Sequence, residues 1–288
     1  MAPLRGVGVA LITPFAADFS VDYTSLERLL DHVIRSKVDY VVTLGTTGES
    51  ATLSEQEKLA VLEFTYEKVN GRVPVVVGIG GNDTQKVIAQ IQKWPLEKAA
   101  AILSVSPYYN KPQQEGIYRH YAAIAQSTDK DIILYNVPGR TMSNISAETT
   151  IRLAHDFKNI IGTKEASGNM VQCMHLVKNR PEGFLLISGD DHVTLPLVAC
   201  GFDGVISVAA NSFAAEFTQL VHDALAGNYA GARVLQSKLL DQMDLLFAEN
   251  NPAGVKAFLA EQGIIENVLR LPLVPLSAHL QEKVKQYQ

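Results

Sequence analysis

The chain has 288 residues, 47% hydrophobic and 19% charged, a balance that suits a well-buried globular protein of one large domain, or a large and a small one, and excludes a disordered chain. With a formal net charge of -5, a pI near 5.8 and no long basic run, neither nucleic acid nor an anionic membrane surface is an evident partner, and small molecules are the expected ones. Two cysteines, Cys173 and Cys200, lie in helix-like stretches without metal-ligand spacing and read as reduced core thiols, which suits a cytoplasmic protein.

In chain order, the first apolar run, 7–12, is short, has only Arg5 before it and ends at Thr13-Pro14, so it reads as a strand and not as a signal-peptide core. Further strands are predicted at 40–44, 73–79, 101–105, 132–136, 160–164, 184–188 and 204–208. Amphipathic helices are predicted between them at 23–36, 54–69, 84–94, 115–127, 147–156, 170–179, 192–200 and 214–226. Ser54 and Glu57 have the spacing of a capping box ahead of apolar Leu59, Val61, Leu62 and Phe64. Eight strands, each followed by a helix, predict an α/β fold of the (β/α)8 TIM-barrel type. After Gly227-Asn228 the alternation stops, and helices are predicted at 230–248 and 253–261. The expected division is a catalytic barrel over 1–226 and a C-terminal helical domain over 227–288. No run approaches the length needed to span a bilayer.

A barrel gathers its reactive groups where the C-terminal ends of the strands open into loops. Those ends carry the unusual polar residues. Strand two leads into Gly45-Thr46-Thr47-Gly48-Glu49-Ser50, strand four into Ser106-Pro107-Tyr108-Tyr109-Asn110, and strand five into Asn136-Val137-Pro138-Gly139-Arg140. Strand six ends at Lys164, and strand seven in Ser188-Gly189-Asp190-Asp191. A lysine there either snorkels to water or stays in an enclosed cavity, where desolvation favours the neutral, nucleophilic amine. Such an amine attacks a ketone to give a carbinolamine and then an iminium, which lets a proton leave the neighbouring carbon. Tyr135 on the adjacent strand is the natural proton carrier, and Thr46 and Tyr109 can extend it into a relay of hydroxyls. The Gly45-Thr46-Thr47-Gly48 turn offers amides and hydroxyls to a carboxylate, and Arg140 can grip a second one. Taken singly, each residue keeps a plain alternative: Tyr108 and Tyr109 as packing, Thr46 and Thr47 as a turn, Arg140 as a surface ion pair.

Together, Gly-Thr-Thr-Gly-Glu-Ser, Tyr-Tyr-Asn, Tyr-Asn-Val-Pro-Gly-Arg-Thr, Gly-Thr-Lys-Glu-Ala-Ser and Ser-Gly-Asp-Asp, in this order, resemble the dihydrodipicolinate synthase / N-acetylneuraminate lyase family. The resemblance runs nearly end to end and includes 204–208 and the Asn251-Pro252 to Lys256 stretch. It implies a barrel lyase that binds pyruvate as a Schiff base on Lys164 and uses no other cofactor. It further implies Tyr135, Thr46 and Tyr109 as the proton relay, Thr47 and the Ile206 backbone as pyruvate holders, and Gly189 as pocket lining. Arg140 would bind the carboxylate of L-aspartate 4-semialdehyde. The residue matching Tyr109 reaches into a neighbouring subunit's site in this family, which implies a dimer as the minimum active unit and a homotetramer, a pair of dimers, as the usual form.

The implied reaction is the condensation of pyruvate with the semialdehyde, a step of diaminopimelate and lysine biosynthesis. Neuraminate lyases generally carry Gly-Ser-Thr-Gly at the turn and lack an arginine matching Arg140, so both positions favour the synthase branch. Another pyruvate-dependent aldolase, acting on neuraminate or a 2-keto-3-deoxy sugar acid, is the alternative. A barrel that binds without catalysis would need no reactive amine. Lysine-inhibited members bind their inhibitor at the subunit interface through positions matching Ser50, Ala51, Glu55, Lys58, Asn82, Lys86 and Tyr108. Strongly inhibited members often have glutamate at the position of Lys86, and histidine or glutamate at that of Lys58. Two lysines here would repel a cationic ligand, so weak or absent lysine feedback is expected, with Glu55 as a partial compensation. The seven histidines show no paired ligand spacing, and Gly78-Ile79-Gly80-Gly81 lacks dinucleotide or Walker spacing, so no metal and no nucleotide is assigned.

Overall fold

A computed structural model of the chain describes residues 4–287. Eight parallel strands close into a barrel in sequence order: β1 Gly6–Ala10, β2 Tyr40–Thr43, β3 Val75–Gly78, β4 Ala101–Val105, β5 Ile132–Asn136, β6 Ile160–Glu165, β7 Leu185–Ser188 and β8 Gly204–Ser207. β8 closes the barrel by pairing with β1 from Gly6↔Gly204 to Val9↔Ser207. The strands are continuous apolar runs because both of their faces are covered. Tyr40, Val42, Val76, Leu103, Ile133, Ile187 and Ile206 fill the barrel interior. Gly8 makes room for one of them, since a Cβ there would lie 2.1 Å from the Tyr40 ring.

Outside run α1 Tyr23–Arg35, α2 Glu55–Val69, α3 Thr84–Lys93, α4 Gln114–Gln126, α5 Pro138–Thr141, α6 Ala147–Asp156, α7 Met170–Asn179, α8 Thr194–Cys200 and α9 Ala214–Leu225. Their apolar faces pack on the outer sides of the strands. The expected capping box starts α2: Ser54 Oγ accepts from Glu57 N at 3.2 Å, and Glu57 accepts from Ser54 N at 2.8 Å. The chain ends in α10 Tyr229–Phe247, α11 Ala253–Glu261 and α12 Ala278–Val284, with no strand among them. No helix among the described residues is long and apolar enough to cross a membrane.

Every predicted strand exists, and the departures are local. The ladder of β1 stops at Ala10, and Ile12 N donates instead to the Asn211 side chain at 3.2 Å. β3 begins after Pro74, which has no N–H to contribute to a ladder. α8 begins two residues later than expected, at Thr194, and ahead of it His192 N donates to the Asp190 carboxylate at 3.1 Å. Among the described residues, two short α-helices escaped prediction: α5, a single turn begun by Pro138, and α12 near the C-terminus. Cys173 is buried as expected, but Cys200 is exposed at the end of α8, so it is not a core thiol.

Candidate active site

Tyr135 on β5 pairs with Lys164 on β6, and Asn136 pairs with Glu165. Side chains alternate along a strand, so the first pair points into the barrel and the second away from it. On the outer side, Glu165 accepts from Asn136 Nδ2 at 3.0 Å, Gln172 Nε2 at 2.9 Å and Ser167 N at 2.7 Å, which pins the end of β6. β6 therefore runs one residue past Lys164. On the inner side, Lys164 is 6% exposed and its Nζ lies 4.1 Å from the centroid of the Tyr135 ring. Lys164 makes no hydrogen bond or ion pair with any described residue. Gly189 keeps its alkyl chain unobstructed, because a Cβ there would stand 2.9 Å from Lys164 Cε.

A cavity of about 130 Å³ opens above these residues, lined by Lys164, Tyr135, Ile206, Thr46 and Thr47 and, on its other side, by Ser50, Lys58, Gln90 and Trp94. The turn after β2 is tightly framed. Gly48 N donates to Gly45 O at 3.2 Å, Glu49 N to Thr46 O at 3.1 Å, and Thr13 Oγ1 to Gly48 O at 2.7 Å. Thr46 is exposed, whereas Thr47 is buried and its Oγ1 accepts from Asn251 Nδ2 at 2.8 Å. Glu49, in a left-handed conformation at φ 50°, pairs with Lys256 at 2.5 Å, both side chains being fully buried. Burial pulls Lys256 down to about 8 against the opposing pull of the Glu49 carboxylate. Lys256 Nζ also donates to Val268 O at 2.9 Å, and Arg270 N donates to Glu49 at 3.2 Å. Three segments of the C-terminal helical part thus converge on the turn that carries Thr46 and Thr47.

Two predicted site residues stand apart from this cavity within the single chain. Tyr109, at φ 75°, is 88% exposed. Arg140 on α5 is exposed, and its guanidinium has no ion pair with a described residue. The loops that bear them meet through Tyr109 N donating to Thr141 O at 3.4 Å.

The seven predicted regulatory positions divide. Ser50 and Lys58 line the cavity, and Glu55 accepts from the cavity-lining Trp94 at 2.6 Å. Asn82 Nδ2 donates to Tyr108 O at 3.1 Å, Lys86 pairs with Asp83 at 3.5 Å, and Ala51 is exposed. Sequence reasoning noticed Asn251 and Lys256 only as part of a stretch and assigned neither a role. Asp191 is buried and accepts from Val208 N at 3.0 Å and Ala209 N at 2.9 Å, tying β7 to the end of β8. The described residues include no group of three His, Cys, Asp or Glu placed to hold a metal ion.

Fold and site together define a class, the (β/α)8 barrels that hold a buried lysine at the end of β6. The model of the dihydrodipicolinate synthetase family matches residues 3–287, and the chain belongs to that family. It is 50% identical over 283 residues to the 4-hydroxy-tetrahydrodipicolinate synthase of Parabacteroides distasonis, covering 98% of this chain and 95% of that one. Among solved structures, dihydrodipicolinate synthase from Aquifex aeolicus superposes with a TM-score of 0.95 at 40% identity, over 98% of this chain and 96% of that one. The chloride-inhibited dihydrodipicolinate synthase of Acinetobacter baumannii, complexed with pyruvate, superposes with a TM-score of 0.95 at 38% identity, over 98% and 97% of the two chains.

Proposed function

We propose that this chain acts as a 4-hydroxy-tetrahydrodipicolinate synthase, a lyase of the diaminopimelate route to lysine, with Lys164 as its Schiff-base residue. The observation that carries the reading is the buried, unpaired Lys164 amine above the Tyr135 ring, in a chain matched over nearly its whole length by synthases of that name. The neutral amine adds to the pyruvate ketone, and loss of one water leaves an iminium. A proton then leaves the methyl carbon to give an enamine, which forms a carbon–carbon bond to the semialdehyde's aldehyde carbon. The amine of the adduct attacks the iminium carbon, closes the ring and expels Lys164, so the covalent link supplies what a separate cofactor would otherwise supply.

Tyr135, Thr46 and Tyr109 carry the protons in this scheme. Thr47 and the Ile206 backbone hold pyruvate, Gly189 lines the pocket, and Arg140 takes the carboxylate of the semialdehyde. The high exposure of Tyr109 supports its contribution to the site of a second copy, and hence a homo-oligomer, with a tetramer built as two dimers. A division into a catalytic barrel over 1–226 and a helical domain over 227–288 is supported by the end of strand–helix alternation at Gly227. A biosynthetic enzyme with these small, charged substrates belongs in the cytoplasm.

The decisive assay compares condensation of pyruvate and L-aspartate 4-semialdehyde with cleavage of neuraminate and of 2-keto-3-deoxy sugar acids. The synthase reading requires the first to dominate. In Arg140→Ala, use of the semialdehyde should fall at least about tenfold while the pyruvate adduct still forms. Equal loss of both would make Arg140 a structural residue.

A further inference from the structure

The hydroxyl of Thr47 is held from the opposite end of the sequence. Asn251 stands two residues before α11, is 5% exposed, and donates through Nδ2 to Thr47 Oγ1 at 2.8 Å; Thr47 itself is 3% exposed. Asn251 Oδ1 has no hydrogen-bond partner among the described residues. A buried amide with one unpaired acceptor is costly, and an apolar residue would fill the same space without that cost. The amide is therefore kept for the one bond that it makes.

That bond fixes a direction. A hydroxyl has one proton and two acceptor positions. With Asn251 filling one acceptor position, the proton of Thr47 is left free to be given away, and the β-branched side chain has little rotamer freedom with which to turn from the cavity it lines. On the reading above, the group it meets there is the pyruvate carboxylate, which only accepts. We infer that Asn251 is a positioning residue that holds the Thr47 hydroxyl as a donor toward the carboxylate of pyruvate, so that the C-terminal helical part takes a share in substrate recognition. The Glu49–Lys256 pair, two residues further along the same turn, anchors the backbone on which this arrangement depends.

The inference makes a chemical prediction that a merely structural role does not. Asn251→Asp keeps the shape but accepts where asparagine donates, so it reverses the bond, draws the Thr47 proton away from the cavity and adds a negative charge near the substrate carboxylate. The pyruvate KM should rise by about tenfold or more, with kcat and the semialdehyde KM little changed. Asn251→Ala should raise the pyruvate KM less, and in a Thr47→Val background it should add no further rise. An unchanged pyruvate KM in Asn251→Asp, or multiplying effects of Asn251→Ala and Thr47→Val, would overturn the inference. If Asn251→Asp does not fold, the Asn251→Ala and Thr47→Val cycle decides alone. The inference rests on the pyruvate reading, and the two fail separately: that reading fails if the wild-type chain forms no pyruvate adduct, whereas this one fails with the wild-type adduct intact.

Discussion

Tyr135 and Lys164 face each other across the β5–β6 ladder, and the lysine Nζ sits 4.1 Å from the centre of the tyrosine ring. The register of two parallel strands thus sets the amine over the phenol without help from any loop. Replacing Tyr135 by Phe keeps the ring and its packing and removes only the hydroxyl. Turnover should fall by about 10²-fold or more, the scale of a lost general acid–base group, while the melting temperature barely changes. Steady-state rates with parallel thermal unfolding check this, and near-normal turnover would remove Tyr135 from the proton path.

Tyr109 offers a test of the oligomer. An 88% exposed tyrosine cannot serve the cavity of its own chain as it stands. If it serves a second copy, Tyr109→Phe chains and Lys164→Ala chains are each inactive, yet their mixed dimer contains one intact site. Unfolding and refolding an equal mixture should restore about a quarter of wild-type activity, since half of the dimers are mixed and each has one good site of two. Failure to complement would place Tyr109 outside the shared site.

The Arg270–Glu57 pair predicts a pH dependence of stability. Hydrogen bonding from the Arg270 guanidinium, with further bonds from Ser54, holds the Glu57 carboxyl at about 2 instead of its ordinary 4.5. A carboxylate depressed on folding stabilises the native state above its unfolded value and loses that contribution as pH falls toward the folded one. Glu57→Gln, which preserves the capping geometry, should therefore cost about 1–2 kcal/mol at neutral pH and progressively less between about pH 4.5 and pH 2. Denaturant titrations at several pH values measure it; a difference that stays constant with pH would contradict the assignment.

Lysine should inhibit weakly or not at all. Lys58 lines the cavity and has no ion pair with a described residue, and Glu55, which accepts from Trp94 at 2.6 Å, compensates it only in part. A cationic ligand would meet an unneutralised positive charge there. Half-maximal inhibition by sub-millimolar lysine in a steady-state assay would refute this.

The barrel was legible because its strands are buried on both faces and so appear as unbroken apolar runs, each followed by a helix of distinct period. Lys164 was legible for the complementary reason that a charge at the end of such a run is out of place. Lys256 was not. It sits in a helix, in a segment read as an appendage, and the carboxylate that compensates it is Glu49, far away in sequence. Only the fold shows that one of the two buried lysines is paired and the other is not. The same distance hid the Asn251–Thr47 bond, because no local period announces a contact between residues 204 positions apart. The single-turn helix that bears Arg140 went unseen because four residues are too few to show a period.

On the proposed reading, the unpaired amine of Lys164 forms the covalent link to pyruvate. Incubation with pyruvate, reduction with borohydride and mass analysis of the intact chain and its peptides test it directly. One reduced pyruvate per chain, located on Lys164 and absent from Lys164→Ala, is the predicted result; no adduct, or an adduct on Lys256 or any other lysine, would contradict the account.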